Sequence, residues 1–173
     1  MTRPLRGNAV LGAGAAQPSV PHRPAEFRLG VAWVLLCVAL ALHVTDEALT
    51  GFLSVYNPTV LALRARFGFW PMPTFEFREW LTGLAIGVLF LASLSPFAFR
   101  NERWIRPLFY FCAVATGVMN ALGHVIATIF GQTVSTVQFP RPAPGFYSSP
   151  LLLIVSVYAL VQLRLTRHRS PLM

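Results

Sequence analysis

Four apolar runs, roughly residues 29–49, 80–99, 107–130 and 146–163, each approach the length that a helix needs to cross the hydrocarbon core of a bilayer. This feature narrows the choice of folds more than any motif does. Inside lipid every backbone amide must find its partner within the protein, so isolated spanning segments become helices. Composition argues against a soluble alternative: only 12% of the residues are charged and 55% are apolar, against roughly 25% charged in ordinary soluble domains. The expected fold class is all-α, an integral membrane four-helix bundle.

The basic residues set the expected orientation. All fourteen are arginines and, with six acids, they give a net charge of +8. With the N-terminus in the cytoplasm, Arg3, Arg6, Arg23, Arg28, Arg100, Arg103, Arg106, Arg164, Arg167 and Arg169 lie inside. Only Arg64, Arg66, Arg78 and Arg141 lie outside. The positive-inside rule then places both termini in the cytoplasm of a multi-pass protein of the cell (plasma or inner) membrane. The arginines cluster between apolar runs and form no stripe, so the expected partners are membrane lipids and not nucleic acid.

Residues 1–26, rich in Ala, Gly, Pro and Arg, cannot bury enough apolar surface to fold and are expected to form a disordered tail. Residues 27–166 then make the four-span domain and 167–173 a short basic tail. A cleavable signal peptide ending near Ala39-Leu40-Ala41 is the competing reading of the first run, but the polar segment before it is longer than such peptides use. Residues 64–80 mix aromatics, prolines and charges, which suits a loop at the outer interface, with a substrate lid as the sharper alternative. Gly83 and Gly87 form a GxxxG, and Gly117/Ala121 and Ala127/Gly131 are small pairs four apart, a helix-packing signal. Ser149-Pro150 suits a helix start after the Pro144-Gly145 turn. Cys37 and Cys112 fall within apolar runs as small buried hydrophobes.

Two polar stripes interrupt the apolar runs. His43, Asp46, Glu47 and Thr50 project to one side of the first helix, and Thr116, Asn120 and His124, four apart, share a face of the third. The first and third runs cross in the same direction, and at about 1.5 Å per residue both histidines fall in the outer half of the membrane. The two faces are therefore expected to converge in one pocket, with Glu79 of the second run in reach of the same layer. Two adjacent carboxylates in a low-dielectric pocket repel, so one takes up a proton unless a cation, a bound metal or a protonated histidine, compensates. Histidine and carboxylate ligands suit a divalent Zn, Fe or Mn ion, and metal-assisted hydrolysis is the chemistry that such a set commonly serves.

The stretches HVTDEALTGF, NALGH and APGFYSSPLLL resemble the HXXEE family, small multi-pass bacterial membrane proteins named for a His-x-x-Glu-Glu motif. The resemblance covers residues 37–160 and maps the family pattern onto His43, Asp46, Glu47, Asn120, His124, Pro144 and Gly145. It implies an integral membrane protein of uncharacterised activity. Asp46 departs from the motif, keeping the charge with a side chain shorter by one methylene. In the leading reading His43, Glu47 and His124 hold the metal of a hydrolase acting on a lipidic or membrane-embedded substrate. Asp46 orients a ligand or serves as base, and Asn120 binds substrate or water. The alternatives are a metal-free proton-transfer enzyme on a lipid-like substrate and a non-enzymatic binding or transport component.

Overall fold

The computed structural model describes residues 23–134 and 136–167, and these are mostly helical. Four helical stretches, Glu26–Leu49, Phe77–Phe99, Ile105–Phe130 and Ser149–Thr166, are long and apolar enough to cross a membrane. They match the four runs read from the sequence to within a few residues. The first helix, α1 (Arg23–Thr50), begins inside the segment expected to be a tail; the rest of that segment, and most of the expected C-terminal tail, lie outside the described residues.

One face of α1 is buried throughout. Leu29, Ala32, Trp33, Leu36, Leu40, His43 and Glu47 recur at three- and four-residue steps, so the stripe that packs the core also carries the polar residues in its last two turns. This stripe meets α3 (Phe77–Ser93), α4 (Ser95–Phe99) and α7 (Ser149–Arg167). Trp33 anchors it, donating its indole N–H to Leu91 O at 3.0 Å and meeting Phe109 edge to face at 4.9 Å. The buried face of α7, with Leu152, Ser156 and Ala159, completes the core.

The third stretch is not uniform. It starts as α5 (Ile105–Phe111), widens into a π-helix over Cys112–Met119 and continues as α6 (Asn120–Phe130). Its buried positions Phe109, Ala113, Gly117 and Ala121 recur every four residues, longer than the 3.6-residue turn of an α-helix, and wide turns keep them on one side. The small-residue signal holds here: a β-carbon at Gly117 would run into the Ser156 side chain. It fails at Gly83 and Gly87, where a β-carbon would meet nothing within 4 Å among the described residues. These glycines sit on exposed helix surface.

Between α1 and α3 the sequence reading found only a loop, whereas the structure has α2 (Leu53–Phe67), set off from α1 by Gly51 at φ +76°. This helix holds the aromatic segment that follows it. Asn57 donates to Phe75 O at 2.9 Å and accepts from Phe75 N at 3.1 Å, Tyr56 donates to Pro73 O, and Arg64 donates to Met72 O. Burial pushes the Tyr56 hydroxyl above its usual pKa, while the Arg64 charge pulls it down. After α6 a short antiparallel hairpin, β1 (Gln132–Val134) and β2 (Val137–Gln138), reverses the chain towards α7.

Candidate metal centre

The two polar stripes meet. His43 and Glu47 from α1 and His124 from α6 place three candidate ligand atoms within 4.8 Å of one another, and all three residues are buried, at 1%, 5% and 6% exposure. Glu47 Oε1 lies 3.1 Å from His124 Nε2 and 3.6 Å from His43 Nε2. The imidazole rings stand edge to face with centroids 4.8 Å apart. The depth argument from chain direction thus brought together residues 81 positions apart in sequence.

A hydrogen-bonded chain fixes how His43 presents itself. Asp46 Oδ2 accepts two bonds from Ser148, from its backbone N–H and its hydroxyl, both at 2.8 Å. Having given its only hydroxyl proton to a carboxylate, Ser148 Oγ must accept from His43 Nδ1, 2.8 Å away. His43 therefore carries its proton on Nδ1 and turns the lone pair of Nε2 inward, towards Glu47. Among the described residues that buried nitrogen has no hydrogen-bond partner. A nitrogen lone pair facing a carboxylate oxygen in a buried site calls for a cation between them, a proton or a metal ion.

The donor set fits a metal ion. Two histidines and one glutamate with an open fourth position is a known catalytic zinc set, and bonds of 2.0–2.1 Å in a tetrahedron separate ligand atoms by about 3.3 Å. The two distances to Glu47 bracket that value, and the two histidine ligand atoms lie within 4.8 Å of each other.

The segment before α7 roofs the group. Gly145, at φ +81°, lies so close that a β-carbon there would stand 2.7 Å from His124 Cε1, 2.9 Å from His124 Nδ1 and 3.0 Å from Glu47 Cγ. Its amide donates to Thr50 Oγ1 at 3.1 Å, and Thr50 in turn donates to Asp46 O. Thr128 ties the same segment to α6, accepting from Ala143 N and donating to His124 O. The Ser149 hydroxyl closes the first turn by donating to Gly145 O at 2.7 Å. Phe52, stacked on Trp80, covers His124 from the α2 side.

Not every residue singled out in the sequence is in the group. Asp46 holds Ser148 and lies outside the three-ligand cluster. Asn120 sits one turn before His124 on α6, half-buried, and makes no hydrogen bond to the cluster among the described residues. Glu79 is exposed at the start of α3, where it accepts from the Glu76 amide at 3.4 Å, and is not one of the three clustered ligands. Ser148 was missed. Two serines before a proline read as a helix start, and only the fold shows that the first of them faces Asp46 and His43.

No protein-family model matches the chain, and neither a curated protein nor a solved structure does. Any functional reading must come from the site itself.

Proposed function

We propose that this chain is an HXXEE-like, four-span membrane bundle with both termini in the cytoplasm, whose His43, Glu47 and His124 hold a divalent Zn, Fe or Mn ion in the outer half of the bilayer to hydrolyse a lipidic or membrane-embedded substrate. The observation that carries this reading is His43 Nε2, buried, without a hydrogen-bond partner among the described residues and 3.6 Å from a Glu47 carboxylate oxygen. Such an ion supplies Lewis-acid polarisation of an ester or amide carbonyl and of an attacking water. The chain's own groups do the rest. Asp46 and Ser148 hold the His43 ring in one tautomer, and Gly145 with Phe52 limits access of water. Asn120, one turn before His124 on α6, would hydrogen-bond water or substrate.

The test is metal content, by elemental mass spectrometry, of detergent-purified protein beside His43→Ala and His124→Ala, each with its helicity checked. Near-stoichiometric metal in the wild type, lost in both variants, is the expected result. A wild type that stays metal-free after supplementation overturns the metal centre. It would favour a second reading, proton transfer on a lipid-like substrate, for which the chain Asp46–Ser148–His43 leading to Glu47 is the supporting observation.

A further inference from the structure

At the end of the bundle away from the histidines, where α5 begins and α7 ends, a cavity of about 620 Å³ is lined by Arg103, Arg106 and Arg164 together with Tyr110, Leu160 and Leu163. Like charges gathered on one cavity repel unless an anion joins them. Among the described residues Arg103 and Arg164 have no carboxylate within ion-pair distance. Arg106 is braced in place, giving two bonds to Asn101 Oδ1 at 3.0 and 2.8 Å and one to Thr166 O at 3.5 Å. Guanidinium groups match phosphate oxygens in pairs, and a braced guanidinium loses little freedom on binding one.

The rest of the lining is apolar. Leu160 and Leu163 of α7 are half-buried, and Tyr110 of α5 presents an exposed ring. A free phosphate has no use for such a surface, whereas a lipid lays its glycerol and first acyl carbons along it.

We infer that this cavity binds the phosphate headgroup of an anionic phospholipid. The inference rests on the membrane-spanning reading and is independent of the metal. Basic pockets between spanning helices on the cytoplasmic side are the usual place for anionic headgroups, and the arginine count puts this end inside.

The experiment is native mass spectrometry of the protein released from nanodiscs made with equal amounts of phosphatidylglycerol and phosphatidylcholine. The wild type is expected to retain phosphatidylglycerol in preference. The preference should fall by about fivefold for each arginine removed in Arg103→Gln and Arg164→Gln. The Arg66→Gln/Arg78→Gln pair, at the other end, should keep it. Equal retention of the two lipids by the wild type, or an unchanged preference in both single variants, overturns the inference. Displacement of the lipid by inorganic phosphate overturns it too, and assigns the site to the free ion. Failure of the chain to co-elute with nanodiscs or to resist carbonate extraction strikes the membrane reading instead, which separates the two.

Discussion

Replacing Ser148 with alanine isolates the link between Asp46 and the ring of His43. The Ser148 backbone N–H still reaches Asp46 Oδ2 at 2.8 Å, so Asp46 keeps one of its two bonds from this residue. His43 Nδ1, on a side chain only 2% exposed, loses its acceptor. An orphaned buried donor costs about 1–3 kcal/mol, and the ring is then free to take the other tautomer, with its proton where the metal should be. Loss of an outer partner of a metal-ligating histidine lowers metal affinity by about 10–100-fold, and the two figures agree, since tenfold is about 1.4 kcal/mol. Asp46→Asn gives a graded comparison. Both Ser148 bonds end on the same carboxylate oxygen, so an asparagine carbonyl placed there keeps both and loses only the charge, which roughly halves their strength. The expected order of Zn²⁺ affinity, by competition with a chromogenic chelator in detergent, is wild type, then Asp46→Asn, then Ser148→Ala, with His43→Ala weakest. Ser148→Ala within about twofold of wild type, a difference of only about 0.4 kcal/mol, would refute the tautomer argument. So would an apo protein whose His43 ¹⁵N shifts place the proton on Nε2.

Gly145→Ala combines a left-handed φ with contacts to His124 and Glu47 of 3.0 Å or less. The conformation alone costs about 1–2 kcal/mol, so both melting temperature and zinc affinity should fall. Gly83→Ala, where a β-carbon meets nothing within 4 Å among the described residues, should leave both unchanged. Asn57→Ala removes the two bonds that hold Phe75, each worth about 1 kcal/mol. It should speed limited proteolysis between residues 68 and 76 with little change in helicity, whereas Tyr56→Phe, which removes one bond to the same segment, should do less.

The four apolar runs were legible because length and hydropathy are properties of one segment at a time. The meeting of His43, Glu47 and His124 was legible for a related reason. Two helices running the same way fix depth by counting residues, and polar side chains four apart fix a face. What escaped depends on contacts between segments. Leu53–Phe67 contains Pro58 and two arginines and is less apolar than the spans, so its helix is visible only once it is seen gripping the 72–75 segment. Ser148 gains its role from Asp46, 102 residues earlier. The π-helix over Cys112–Met119 escaped, because its apolar residues read equally well as α-helix. The GxxxG at Gly83 misled in the other direction, since spacing alone does not say whether a partner helix is present.

The centre draws one side-chain pair from α1, one side chain from α6 and its roof from the segment entering α7. During synthesis, then, the first helix would leave the ribosome with a histidine and two acids and wait in the translocon or the lipid for a partner about a hundred residues behind it. In the proposed membrane bundle the centre would be complete only once α7 is in place. A chain stopped after the third helix carries all three ligands and still lacks Ser148 to set His43 and Gly145 to close over His124.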